Sequence, residues 1–241
     1  MRLDKALGLA NLSRKEAKEA VKRGRVQVNG RPVCDSAMGV AEDDSITLDG
    51  QALCLKEHVF LMMHKPAGYI SATSDPRGGP TVMDLLPEEF ARRGAAPVGR
   101  LDKDVTGLII LTDDGNLTHF LISPKRQVSK LYEAECEGEL TDKAVKMFED
   151  GIDLGDFTAK PATLRILSAS PEGSLCRVTV TEGKFHQVKR MLEKVGCPVK
   201  QLKRLYMGGV WLDETLGPGE WRYLTKQEED TLYKAASIER E

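Results

Sequence analysis

The segment GLIILT, residues 107 to 112, constrains the fold most. It is an apolar run too short for a buried helix, and the turn-forming Asp113-Asp114-Gly115 closes it. Such a run is read as a strand covered on both faces, so the chain needs layers above and below it. VFLMM (59 to 63) is a second run of this kind, closed by Pro66-Ala67-Gly68 before YISAT. Other segments alternate instead. In KLYEAECEGE, Tyr132, Ala134 and Cys136 face one way and Glu133, Glu135 and Glu137 the other, and SLCRVTVTEG repeats the pattern. Both are half-buried strands.

Helices interrupt these strands irregularly. One runs from Thr141 as N-cap to Gly151 as stop. In KFHQVKRMLEKVG, Val188, Met191, Leu192 and Val195 form an apolar stripe. The acid-rich tail after Thr225 is expected to be a peripheral helix. No regular β-α-β alternation is present, so the expected class is α+β with a largely antiparallel sheet. There is no internal repeat.

The first 31 residues differ from the rest. They carry nine basic side chains and three acids, a net of +6, within a chain whose 35 Lys and Arg nearly balance 37 Asp and Glu. Ser13 with Glu16 forms a capping box, Ala17, Ala20 and Val21 share one helical face, and Gly24 can stop the helix. RVQVNGRPV alternates and turns at Asn29-Gly30, and a second strand pair follows in SITLDGQALCL. Two helices and a small sheet thus make a unit of residues 1–58, followed by a second unit of 59–241. The basic excess suits phosphate backbone, or a solvated helix.

Several chemistries lose their motifs. No phosphate-binding loop, dinucleotide fingerprint, zinc-protease helix or hydrolase elbow is present, and the four histidines lack ligand spacing. Five scattered cysteines without a C-x-x-C pair read as buried free thiols in a reducing compartment. No stretch is apolar enough for a signal peptide or a membrane span, so the protein is expected in the cytoplasm. No metal, cofactor or membrane partner is expected, and nothing demands more than a monomer.

What remains is GRLDKDVTGLIILTDDG, residues 99 to 115, a loop with an Arg, an Asp and a Thr leading into the buried strand. A carboxylate there is held by a rigid element, which suits catalysis. Asp102 capping a turn or pairing with Arg100 fits the same pattern.

Two resemblances add to this reading. LDKALGLANLSRKEAKEAVKRGRVQVNGRPV, with its LSR start, the Gly24 and Val26 pair and the VNG turn, resembles the RNA-binding domain first recognised in ribosomal protein S4. Residues 99 to 115 resemble the signature segment of bacterial ribosomal RNA pseudouridine synthases, through Gly99, Arg100, Leu101, Asp102, Thr106, Gly107, Leu108, Thr112, Asp114 and Gly115. HKPAG (64 to 68), KLY (130 to 132) and GKFHQVKRM (183 to 191) resemble three further elements of that family in order, with His64 where the family usually has Asn.

The resemblance implies isomerisation of uridine to pseudouridine, with Asp102 as nucleophile, Lys189 as its cationic partner and Tyr132 stacking on the target base. No redox change or energy donor is needed; the reaction needs a carboxylate beside a base taken out of its stack. From the residues alone, Lys189 could equally flank a solvated face and Tyr132 could be core. Arg100 is a candidate to fill the gap left by the base, to contact phosphate, or to pair with an acid. Residues 184 to 206 carry seven basic side chains against Glu193, again a net of +6. An RNA-binding surface is therefore expected to include Arg2, Lys5, Arg14, Lys18, Arg25, Lys65, Lys130, His186, Gln187, Arg190 and Arg204. The HQVKR form resembles the small-subunit branch, so the expected substrate is one uridine of 16S ribosomal RNA, within a small-subunit assembly intermediate. A 23S target is the alternative. A non-catalytic RNA-binding assembly factor is a further one.

Overall fold

Local chemistry sets the first unit. The computed structural model describes residues 1–10, 12–41, 44–53 and 58–238. Helix α1 (Leu3–Leu9) precedes α2 (Arg14–Lys22). The Ser13 hydroxyl accepts the Glu16 amide at 3.3 Å, and the Glu16 carboxylate accepts the Ser13 amide at 2.8 Å. At the other end, Gly24 at φ 67° lets its own N–H and that of Arg25 return to Val21 and Ala20. That double bond is the Schellman stop.

Strands β1 (Val26–Val28), β2 (Arg31–Pro32), β3 (Ile46–Leu48) and β4 (Gln51–Ala52) form a sheet in the order β2-β1-β3-β4. Asn29 (φ 51°) and Gly30 (φ 75°) make the tight turn between the first two. Leu3, Leu7, Ala17, Ala20, Val21, Val26, Val28 and Ile46 close the core of this unit. The chain divides between Val59 and Phe60.

The second unit is built on one nine-stranded sheet among the described residues. Its elements are β5 (Phe60–Lys65), α3 (Glu88–Arg92), β6 (Ala96–Pro97), β7 (Thr106–Thr112), α4 (Gly115–Ile122), β8 (Lys130–Cys136), α5 (Asp142–Asp150), β9 (Ile152–Asp153), β10 (Thr158–Ala159), β11 (Thr163–Ser170), β12 (Gly173–Val180), α6 (Gln187–Lys194), β13 (Val199–Met207), β14 (Val210–Trp211), β15 (Trp221–Tyr223) and α7 (Lys226–Ala236). The main order is β11-β12-β8-β13-β7-β5-β15, with β9 and β10 in a separate hairpin. Every ladder of the sheet is antiparallel except β13 with β7. The apolar runs read as buried strands are β5 and β7, both covered along nearly their whole length.

The parallel pair sets a demand on one residue. Gly107 faces Arg204 across it, and a Cβ there would lie 2.2 Å from the Arg204 carbonyl oxygen. Only glycine lets the two backbones meet.

Three expectations change. The turn at 113–115 starts a helix: Asp114 caps α4 by accepting the Leu117 amide at 2.8 Å. The C-terminal helix is not peripheral. Leu232, Tyr233 and Ala236 of α7 are buried with Phe60 and Met62, because its apolar side covers β5. Cys34 is exposed, whereas Cys136, Cys176 and Cys197 are buried free thiols; Cys54 and Leu55 lie outside the described residues. Thr141 and Gly151 do bound α5, although the Thr141 hydroxyl makes no capping bond.

Candidate active site

Asp102 sits on a loop that several buried groups hold in place. The Ser71 hydroxyl donates to the Leu101 carbonyl at 3.0 Å and accepts the Leu101 amide at 3.1 Å. Beyond Asp102, the Lys65 ammonium donates to the carbonyls of Lys103 (3.3 Å), Val105 (2.8 Å) and Pro66 (3.0 Å). The Gly68 amide adds a bond to Lys103 at 2.8 Å. Residues on both sides of Asp102 are thus fastened by YISAT and HKPAG, which leaves its carboxylate projecting from an immobilised backbone.

The carboxylate lies in a pocket lined by Arg100, Tyr132, Val180, Glu182, Lys184, His186, Lys189 and Leu202, among others. Asp102 Oδ1 is 3.5 Å from His186 Nε2, and Oδ2 is 3.5 Å from Lys189 Nζ. Lys189 makes its short bonds elsewhere, to Asp104 at 2.7 and 2.8 Å. That contact holds the Asp104 carboxyl below its ordinary range. Lys189 therefore bridges two carboxylates, and the expected pair with Asp102 is the longer contact. Tyr132, half-buried, lines the wall from β8, and Arg100 is exposed at the rim.

Four residues expected at an RNA surface are buried. Lys65 and Arg204 are at most 1% exposed, Gln187 is 4% and Lys130 is 9%. Arg204 Nε donates to the Leu108 carbonyl at 2.8 Å, and Lys130 Nζ donates to Val128 at 3.0 Å. Gln187 donates to Glu182 at 2.7 Å and accepts the Lys184 amide at 3.1 Å. Their polar ends bond within the protein, which runs against the expected place of all four on an RNA-binding surface. Desolvation first, then the Arg204 cation nearby, draws the Lys130 ammonium down to about 8. Burial does the same for Lys65, to about 8, against the opposing pull of Asp104 and Asp102.

Arg190 is partly exposed but engaged. It pairs with Asp156, donates to Leu154 at 2.9 Å, and lies over the Phe157 ring. In the first unit Arg2 holds Asp4 and Arg25 holds Asp49, both at the surface. Lys5, Arg14 and Lys18 are exposed, with no ion pair among the described residues. His64, the residue that departs from the usual Asn, is buried on β5; its Nδ1–H donates to the Leu216 carbonyl at 2.8 Å. It fastens a neighbouring loop and does not line the pocket.

Sequence reasoning missed Ser71, Asp104 and Glu182. Asp104 had a signal, two residues from Asp102 in a loop. Ser71 and Glu182 had none, since their roles depend on distant segments meeting. Among the described residues no three His, Cys, Asp or Glu side chains converge on a metal site, and no helix is long and apolar enough to cross a membrane.

Known proteins resemble this chain over nearly its whole length. Residues 59–194 match the family model described as RNA pseudouridylate synthase, and residues 1–46 match the S4 domain. The chain is 43% identical to an uncharacterised RNA pseudouridine synthase of Bacillus subtilis (strain 168), over 95% of this chain and 96% of the relative. It is 37% identical to ribosomal small subunit pseudouridine synthase A of Escherichia coli (strain K12), over 95% and 98%. A solved pseudouridylate synthase structure superposes with a TM-score of 0.67 at 33% identity, over 96% of this chain and 99% of that one.

Proposed function

This chain belongs to the RNA pseudouridylate synthase family and carries an N-terminal S4 domain, and from that premise we propose that it converts one uridine of 16S ribosomal RNA to pseudouridine, with Asp102 as nucleophile and without a cofactor. The observation that carries this reading is the Asp102 carboxylate, projecting into a pocket between the imidazole of His186 and the ammonium of Lys189.

The chemistry asks for little else. The bond between ribose C1′ and uracil N1 breaks, the base turns, and C1′ rejoins through C5. The C5 proton leaves to solvent, and N1, freed from the ribose, takes up a proton in its place, so atoms and charge balance. A carboxylate held beside the reacting base suits the nucleophilic role. Tyr132, on the pocket wall, offers a ring face to a uracil turned out of its stack. Arg100 at the rim is placed to meet the backbone or the gap the base leaves. Exposed Lys5, Arg14 and Lys18 of the S4 domain supply phosphate contacts. We assign the small-subunit target on the HQVKR form and on likeness to the Escherichia coli enzyme, with a monomer acting on an assembly intermediate in the cytoplasm.

Tritium release from RNA labelled at uracil C5, with small-subunit and large-subunit RNA in parallel, tests this. One equivalent released from small-subunit RNA alone is expected. Release only from large-subunit RNA moves the target and keeps the reaction. Asp102→Ala should lower turnover by roughly a thousandfold or more while RNA affinity stays within about threefold. Appreciable turnover by that variant would remove the nucleophile from Asp102.

A further inference from the structure

Among the described residues Phe185 is the most exposed large apolar side chain, at 74%. A bare aromatic ring in water is unfavourable, and this one is held in place. Phe185 and His186 occupy a turn closed by the Gln187 amide on the Lys184 carbonyl at 3.2 Å. His186 stands third in that turn, at φ 51°, where glycine fits without steric cost. The turn is supported from beneath. Buried Glu182 accepts from Gln187 Nε2 at 2.7 Å and from the Lys160 amide at 2.8 Å. The left-handed residue carries an imidazole that reaches Asp102, and the Phe185 ring lies flat on that imidazole, 3.8 Å away at 17°.

One face of Phe185 is therefore covered by a wall of the pocket, and the ring stands just outside it. Its surroundings are not those of a protein-docking patch. Gly183 and Lys184 precede it and are exposed, and it is a single ring rather than part of a wide apolar area. Among the described residues no cation lies over it: Lys184 and Arg190 lie over the Phe157 ring instead, 5.7 and 5.2 Å from its centre. A lone aromatic face beside a cationic rim suits an unpaired nucleobase, because stacking is indifferent to base identity and the cations can meet phosphate.

We propose that Phe185 is a stacking platform for an unpaired base of the RNA substrate adjoining the target uridine. This rests on the reading of Asp102 as the uridine-isomerising centre. The platform holds the flanking nucleotide against the His186 wall, which fixes the strand while the uridine enters the pocket.

Two measurements test it separately from the reaction. In Phe185→Trp, a nine-nucleotide oligouridylate should quench the added tryptophan emission beyond the wild-type background of Trp211 and Trp221. An abasic sugar-phosphate chain of equal length should not. Equal quenching by both, or none, overturns the platform. In tritium release from whichever ribosomal RNA the wild type turns over, Phe185→Ala should raise the half-saturating RNA concentration about tenfold. The larger share of the loss should fall there rather than in the plateau rate, and Phe185→Tyr should recover most of it. An unchanged RNA dependence in Phe185→Ala overturns it as well. If the wild type releases no tritium, the isomerase reading fails, and the quenching result still decides the platform.

Discussion

The two units use their cations in opposite ways. In the S4 unit, Lys5, Arg14 and Lys18 stand in solvent on helices whose other faces carry the core. In the synthase unit, Lys65, Lys130 and Arg204 are turned inward and bond backbone carbonyls. The first arrangement leaves charge free for an external phosphate. The second converts it into loop and strand support, which Lys65 gives on the loop of Asp102. A count of basic residues treats the two alike, and only burial separates them.

The difference can be broken most directly at Lys65. Lys65→Ala removes the donor shared by three backbone carbonyls, one bond buried and two partly buried, and leaves a cavity, so a loss of about 3 kcal/mol is expected in urea unfolding. Lys18→Ala should stay within about 0.5 kcal/mol. Similar losses at both would erase the distinction.

The complementary test concerns the exposed set. Replacing Lys5, Arg14 and Lys18 together by Ala should reduce the slope of log RNA affinity against log salt by about 2, because each lost phosphate contact releases fewer counterions. Stability should hardly change. A slope equal to that of the wild type would mean these side chains do not touch RNA.

A smaller effect sharpens the buried side. Burial lowers Lys130 from 10.5 to about 8. Between those values the unfolded chain holds a proton that the folded chain has released, so this group's contribution to stability grows as pH rises through that window. Wild type should therefore gain stability relative to Lys130→Met from pH 7 to pH 10, read from urea midpoints at each pH. A constant difference would show that the ammonium is not desolvated.

The legibility of the site divides along the same line. Asp102, Tyr132 and Lys189 could be found in the sequence because they lie in short segments of characteristic order, and the structure brings all three to one pocket. Strand β13 escaped notice. Its Lys200, Lys203 and Arg204 read as a basic surface, yet Leu202, Arg204 and Met207 are buried and the strand runs between β8 and β7. Helix α4 was hidden because Asp114 and Gly115 suit a turn as well as a helix start.

By itself, the sequence determined what depends on near neighbours. Capping at Ser13, the Gly24 stop, the Asn29-Gly30 turn and the covered strands β5 and β7 follow from side chains a few residues apart. Tertiary structure alone decided which cations face water, which carboxylate Lys189 holds closest, and that Ser71 and Lys65 fasten the loop of Asp102. Those outcomes depend on residues 30 to 96 positions apart meeting in the fold, and burial there decides whether a charge binds solvent or the backbone.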